Sequence, residues 1–144
     1  TATTLRAVKA IKLASGAGTF QADEKITQAT TGAIGKVVEY DSTNRILYYQ
    51  QEKFADFGVA SDGDKIAFSG TNTITGATSS ATGAPDDGAD SAVSLTGGNT
   101  ITFTNGFANE EIEPDSGDLM YFETRRPISR ATDQTEDIKL IIEF

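Results

Sequence analysis

The sequence contains no cysteine, no histidine and no tryptophan. Without histidine, a Ser-His-Asp hydrolase, a histidine general base and a histidine-ligated zinc site are excluded. Without cysteine, a disulfide framework, a thiolate nucleophile and an iron–sulfur cluster are excluded as well. Carboxylates, hydroxyls, lysine and arginine are therefore the groups left for any chemistry.

Long hydrophobic runs are also absent, and the apolar stretches are only a few residues long, as at 140–142. A helix that crosses a bilayer needs about 20 mainly apolar residues, so the sequence predicts no membrane partner. The chain has 144 residues, and domains cluster around ~100–150 residues. We therefore expect one domain over 1–144.

The net charge of −9 is unevenly distributed along the chain. Residues 1–53 sum to +2, residues 54–124 to −11 with Lys65 as their one base, and residues 125–144 to zero. Nucleic-acid binding depends on several lysine or arginine contacts to phosphates, and this acidic middle would repel them. No nucleic-acid partner is expected.

Most apolar segments are short, rich in β-branched or aromatic residues, and bounded by Gly, Asn, Asp or Ser, a pattern typical of strands joined by turns. Turn residues at 41–44 and 97–99 indicate hairpins. Residues 100–104 alternate threonine with Ile101 and Phe103, which predicts one buried face. We expect strands near 5–13, 25–30, 34–40, 45–50, 64–69, 72–75, 92–95, 99–104, 118–124 and 137–143. The predicted class is all-β, as a small antiparallel sandwich or barrel of short strands.

Residues 70–98 are low in complexity, and no large apolar side chain lies between Ile74 and Val93. Such a segment buries too little surface to offset its ordering entropy, so we expect one long, exposed, acidic loop. A weak internal similarity links 20–40 with 57–77, which suggests repeated hairpins. Ordinary Gly-Asp turns explain the same similarity.

Calcium is the most serious candidate ligand, because Asp86, Asp87 and Asp90 surround a glycine and similar pairs occur at 61–64 and 115–118. Calcium takes six to eight oxygens in a defined order, and no segment reproduces that order. Asp-Gly pairs also form tight turns. We expect no cofactor, and Asp86, Asp87 and Asp90 remain weak candidate metal ligands.

Two further motifs do not predict an enzyme. Residues 32–36 resemble a phosphate-binding loop, but the glycine spacing is too short and a valine follows the lysine. Glu110, Glu111 and Glu113 form an acidic cluster of the kind that glycoside hydrolysis uses in a cleft. They flank Ile112 and Pro114, a composition that indicates a surface turn.

The C-terminal stretch is the most distinctive part of the chain. Pro127 biases Arg126 towards an extended conformation, and arginine is suited to pairing with carboxylates at interfaces. We therefore expect Arg125, Arg126, Arg130 and Phe144 to form a partner interface. An internal network with the acidic residues at 133–137 is an equally weighted alternative, and both can hold together.

These residues carry a resemblance to a known family. The run Glu123-x-Arg125-Arg126-Pro127-Ile128-x-Arg130-Ala131-x-Asp133-Gln134-Thr135-Glu136-Asp137-Ile138-Lys139 with the closing residues 140–144 resembles the C-terminal end of baseplate wedge proteins of contractile-tailed bacteriophages, the gene product 8 family. The specific similarity covers about 117–144. A looser similarity to β-rich modules covers about 18–70, and residues 71–116 match nothing.

The resemblance implies a non-enzymatic virion component that is β-rich, forms a homodimer, and packs with other tail baseplate wedge proteins after assembly in the host cytoplasm. Family members are longer and this chain starts at Thr1, so we expect a C-terminal fragment. The alternative is a β-sandwich module of a phage or bacterial adhesin that binds carbohydrate or cations, as the Asp-Gly turns and threonine-rich strands suggest.

Overall fold

The computed structural model describes residues 6–52, 58–88 and 90–112. Every regular element in these ranges is a β-strand, and all strand pairs are antiparallel, so the predicted all-β class is confirmed. The strands are β1 (Lys9–Ala17), β2 (Lys25–Gln28), β3 (Ile34–Asp41), β4 (Ile46–Gln50), β5 (Ile74–Gly76), β6 (Thr82–Pro85), β7 (Ser91–Ser94), β8 (Thr100–Phe103) and β9 (Phe107–Ala108). None of the described residues forms a helix that could cross a membrane.

Six strands pair into a closed ring in the order β1-β4-β3-β2-β5-β6. β1 closes the ring because it pairs twice: its first half, from Lys9 to Lys12, pairs with β4, and its second half, from Leu13 to Ala17, pairs with β6. β9 adds to β1 beside the first half. The fold is therefore a small barrel, in which closure removes most free strand edges.

The barrel interior is filled by side chains that alternate along each strand. Ile11 and Leu13 of β1 point inward, and so do Leu47 and Tyr49 of β4. The ring of Tyr49 packs edge-to-face on Phe68 with centroids 4.9 Å apart. Since neighbouring residues on a strand face opposite sides, Ala10 and Ile46 point outward.

A second apolar cluster covers this outer face of β1 and β4. The β7–β8 hairpin places Ile101 and Phe103 against Ala10 and Ile46, while the threonines of β8 remain exposed. The predicted alternation at 100–104 is confirmed. The predicted turns at 41–44 and 97–99 also connect the strands as expected.

Residues 70–98 differ from the expected single long loop, because they contain β5, β6 and β7. The other described residues of this stretch, at 70–73, 77–81, 86–88, 90 and 95–98, lie outside strands. Leu13 packs directly on the backbone of β6: a Cβ on Gly83 would lie 2.6 Å from Leu13 Cδ1, so Leu13 would have to shift for any larger residue at position 83. Leu13 and Ile74, on the neighbouring strands, supply the apolar surface that β6 lacks. For this reason the low apolar content of the segment wrongly predicted a loop.

The prediction of a strand near 64–69 is also wrong. Only a bridge between Val59 and Lys65 occurs there. Two buried glutamines bind this segment instead: Gln51 Nε2 donates to the carbonyls of Ile34 and Ile66, at 3.0 and 2.8 Å, and Gln28 Oε1 accepts from the amide of Ser69 at 3.0 Å. Hydrogen bonds from these side chains thus pair with backbone groups of the segment, in place of the backbone hydrogen bonds that a neighbouring strand would supply.

The suggested hairpin repeat gains no support from the described residues. Residues 20–40 form the β2–β3 hairpin, whereas the described residues of the second copy, 58–77, contain the single strand β5 and no hairpin of two strands. The strands expected at 118–124 and 137–143 lie outside the described residues.

Candidate functional site

The predicted interface residues Arg125, Arg126, Arg130 and Phe144 lie outside the described residues. The site described here is therefore built from other parts of the chain. It was not singled out by any sequence motif.

The candidate calcium ligands are not brought together. Among the described residues, no three acidic side chains lie close enough to hold a metal ion. The Asp90 carboxylate accepts a hydrogen bond from the Asn105 amide at 3.1 Å, and the Asp86 amide donates to the carbonyl of Lys12 at 2.9 Å. Asp86, Asp87 and Asp90 thus belong to a connecting turn that two hydrogen bonds attach to its neighbours.

An open groove of about 570 Å³ lies between the end of β3 and the turn that joins β7 to β8. Residues 38–42 form one wall, Leu95 and Thr96 form part of the other, and Tyr48 and Arg6 also line it. A side cavity of about 250 Å³ shares Arg6, Tyr48 and Leu95 with it and is largely apolar. These two spaces are called the groove and the side cavity below.

A β-bulge shapes the first wall. Val37 pairs with Tyr49 and Glu39 with Tyr48, so Val38 is an extra residue without its own partner on β4. Bulges bend a strand and turn side chains to new directions. Val38 is 42% exposed, and Ile112 is the other large hydrophobic side chain that is exposed among the described residues.

Arg6 joins the start of β1 to the last described residues. Its guanidinium donates to the carbonyls of Val8 and Asn109, at 2.7 and 2.6 Å. Its backbone amide donates to Glu111 Oε2 at 2.7 Å, and its carbonyl accepts from the Glu111 amide at 2.8 Å. Its Nε atom is buried and has no hydrogen-bond partner among the described residues.

Asp41 stabilises the turn beside the groove. Its carboxylate accepts from the Asn44 side chain at 2.7 Å and from the amides of Thr43 and Asn44, at 2.9 and 3.0 Å. The pKa of Asp41 is lowered, chiefly by the hydrogen bond from the Asn44 side chain. Partial burial of the carboxylate opposes this effect, whereas the backbone hydrogen bonds and the positive charge of Lys12 add to it. Asp41 is therefore an anion at neutral pH.

Two tyrosines give the groove its aromatic surface. Tyr40 is held edge-to-face on Phe20 with ring centroids 5.3 Å apart. Tyr48 is half-buried; its burial raises the pKa, and the negative charges of Asp41 and Glu39 raise it further against the opposing effect of Arg6. The phenol of Tyr48 is therefore neutral at physiological pH.

One further charged group, Glu24, is buried away from the groove, with 4% exposure. Its carboxylate accepts from the amide of Gln21 at 2.7 Å, the amide and hydroxyl of Ser79 at 2.9 and 2.7 Å, and the amide of Thr78 at 3.0 Å. Burial opposes its ionisation, but these bonds together lower its pKa. Glu24 connects the turn before β2 to the β5–β6 turn, and its role is structural.

Comparison with known proteins gives no match: neither a family model, nor a curated protein, nor a solved structure matches the chain. Conclusions about function therefore depend on the fold and the groove together with the sequence.

Proposed function

We propose that the chain is a non-enzymatic structural module that acts through protein–protein contacts at the groove. The observation that carries the proposal is the lining of the groove: an open surface that combines two tyrosines, an arginine and the exposed side chain of Val38. Tyrosine and arginine are enriched among the residues that dominate binding energy at protein interfaces. The closed barrel supports it, because β3 and β4, which carry one wall of the groove and Tyr48, are paired within the barrel and present that wall with little ordering cost.

The way the acidic residues are used also supports a contact role. Asp41 and Glu24 each satisfy several backbone amides in turns. A catalytic carboxylate has to face the substrate with a pKa suited to proton transfer, whereas these two carboxylates are occupied and have lowered pKa values.

We place this module in a phage tail baseplate wedge, with other wedge proteins as partners, on the resemblance of residues 117–144 to the gene product 8 family. The virion location and the homodimer are parts of the same proposal. The test uses an antibody raised against the full chain and immunogold electron microscopy of tailed particles from the organism that encodes it. Gold at the tail tip is expected, and its absence from intact and disrupted particles would contradict the baseplate assignment.

The contact role is tested separately with Tyr48→Ala in the full chain. The variant should keep its thermal unfolding midpoint within a few degrees, because Tyr48 is only half-buried, and should lose incorporation into particles. Thr27→Ala is the matched control, since Thr27 is exposed on β2, across the barrel from β1 and β4. Normal incorporation of folded Tyr48→Ala would contradict a contact role for the groove.

The adhesin alternative makes a different prediction for the same groove, because aromatic rings such as Tyr40 and Tyr48 also bind sugars. Calorimetry with calcium and a glycan panel distinguishes the two. Saturable binding at millimolar ligand or below, abolished by Tyr48→Ala, would favour the adhesin.

A further inference from the structure

A small cavity lies at one end of the barrel, where β1 begins and β4 ends. Its volume is about 50 Å³, and its lining includes Lys9, Tyr49, Gln51, Lys65 and Glu110. Among the described residues, it shares only Val8 with the lining of the groove. We call this space the end cavity. The proposed contact role of the groove makes no use of it.

Two hydrogen-bond acceptors at the end cavity are buried without a donor. Gln51 is 8% exposed, and its Oε1 atom has no partner among the described residues. Its Nε2 atom donates to the carbonyls of Ile34 and Ile66, which fixes the orientation of the amide because its oxygen could not face two carbonyls. Glu110 Oε2 is likewise buried and unpaired within the described residues. Since buried acceptors are costly to leave unpaired, both oxygens need a donor.

Tyr49 adds a donor to the lining of the same cavity. Its side chain is 4% exposed and belongs to the barrel interior. Burial raises the pKa of the Tyr49 phenol, and the negative charge of Glu110 raises it further, which places the hydroxyl near this carboxylate. The phenol is therefore protonated at neutral pH, and its hydroxyl can donate a hydrogen bond.

The charges around the end cavity favour a neutral occupant. Lys9 and Lys65 line it together with Glu110, so two positive charges accompany one negative charge. The lysines would repel a cation, and the two unpaired oxygens would repel an anion. A neutral group that donates two hydrogen bonds and accepts one satisfies all three polar side chains. Water is such a group, and it needs only about 10–15 Å³ of cavity volume and two to four polar partners.

We propose that the end cavity is a binding site for an ordered water molecule. The water donates to Gln51 Oε1 and to Glu110 Oε2, and it accepts from the hydroxyl of Tyr49. Bridging waters of this kind are part of a protein's structure and are costly to remove. The bound water connects the end of β4 with the segment that follows β9.

The residues on either side of Glu110 bind Arg6, which lines the groove. The carbonyl of Asn109 accepts from the Arg6 guanidinium at 2.6 Å, and Glu111 Oε2 accepts from the Arg6 amide at 2.7 Å. The water therefore connects the barrel interior to the segment that holds Arg6. The site depends on the barrel alone and not on what binds in the groove, so immunogold labelling of particles does not bear on it.

A crystal structure of the full chain, at a resolution that shows ordered waters, tests the proposal directly. The expected result is water density within about 3.2 Å of both Gln51 Oε1 and Glu110 Oε2. Crystals soaked in rubidium chloride should give no anomalous peak in the cavity. A rubidium peak would overturn the proposal in favour of a cation site. Direct hydrogen bonds from Lys9 or Lys65 to the two oxygens, with no water between, would also overturn it.

Magnetic relaxation dispersion of ¹⁷O in water tests the same site in solution, because it detects water molecules that exchange slowly with the solvent. Tyr49→Phe keeps the ring and removes the donor, and it should shorten the residence time of one slow water at least fivefold. Glu110→Ala removes an acceptor and should have the same effect. Tyr40→Phe is the matched control, because it removes a hydroxyl from a ring in the groove and should change nothing.

Circular dichroism checks that each of these variants folds. Unchanged residence times in both folded variants, Tyr49→Phe and Glu110→Ala, would overturn the proposal. An equal effect of Tyr40→Phe would overturn it as well, because the slow water would then lie elsewhere.

Discussion

At the scale of single residues, the buried carboxylate of Glu24 shows how one acidic side chain organises two turns. Its four hydrogen bonds come from the turn before β2 and from the β5–β6 turn. A Cβ on Gly76 would lie 2.7 Å from either carboxylate oxygen, so a glycine is required beside it. A charge is tolerated at 4% exposure because each oxygen is satisfied.

Glu24→Gln should destabilise the protein by about 1–3 kcal/mol at pH 7, because an amide nitrogen then faces hydrogen-bond donors. The pKa of Glu24 is lowered from its ordinary value of 4.5 by folding. Its ionised form therefore contributes stability fully above about pH 4.5, and this contribution is lost as the pH falls through the lower folded-state pKa. Urea denaturation of both proteins between pH 7 and pH 3 should show the difference between them shrinking in acid.

The control for this prediction is Glu39→Gln, since Glu39 is an exposed residue of β3. It should change stability by no more than about 0.5 kcal/mol. If wild type and Glu24→Gln were equally stable at pH 7, the carboxylate would not be a net stabilising contact.

Gly83 is a second residue on which the packing depends, because its lack of a side chain lets the backbone of β6 lie close to Leu13. Gly83→Ala should cost about 1–3 kcal/mol through overpacking. Leu13→Val should recover part of this cost, since it shortens the side chain that the new methyl meets. Urea denaturation of wild type, both single variants and the double variant measures the coupling. Strictly additive effects would contradict the proposed contact.

At the scale of elements, the barrel and the β7–β8 hairpin differ in how they are held. β4 is paired on both sides, by β1 and β3. β7 is paired only with β8 within the described residues. The hairpin depends on one apolar face, built around Phe103, for its attachment to the barrel.

Native-state hydrogen exchange should therefore separate the two units. Amides in β7 and β8 should exchange at least roughly tenfold faster than those in β4, because opening the hairpin exposes less apolar surface than opening the barrel. Phe103→Leu should widen this gap, since it weakens the cluster beneath the hairpin without altering the barrel interior. Equal protection of β4 and β7 would show that the molecule opens as one unit.

At the scale of the whole molecule, β1 organises the ring through partners that are distant in sequence. It pairs with β4, β6 and β9, and its residue Ala10 lies opposite Ala108. The pairing of β1 with β9 therefore brings together residues from both ends of the described chain. The loop-closure entropy of these pairings is lost before most of the interior is buried.

Refolding should consequently be slow for a protein of this size, with a time constant between roughly 10 ms and 10 s, as is usual for β-proteins dominated by non-local pairing. Stopped-flow tyrosine fluorescence after dilution from urea measures it, since Tyr49 is buried inside the barrel. Complete refolding within microseconds would contradict a barrel closed by β1.

Local sequence signals predicted several elements correctly. The turn residues at 41–44 and the alternation at 100–104 identified the β3–β4 hairpin and the buried face of β8. The Asn105-Gly106 dipeptide was available as a further hairpin signal and was missed; both residues have positive φ, 51° and 81°, in the turn before β9.

The amino-acid sequence by itself determined the all-β class and the exclusion of histidine and cysteine chemistry, because composition and short-range periodicity are local properties. Only the tertiary structure decided the strand status of β6, the binding of 66–69 by Gln51 and Gln28, and the groove at the Val38 bulge. Each of these depends on which distant residue lies opposite: Leu13 gives Gly83 its burial, and Tyr48 and Tyr49 leave Val38 without a partner. Pairing between distant strands is set by packing of the whole barrel, and no local pattern records it.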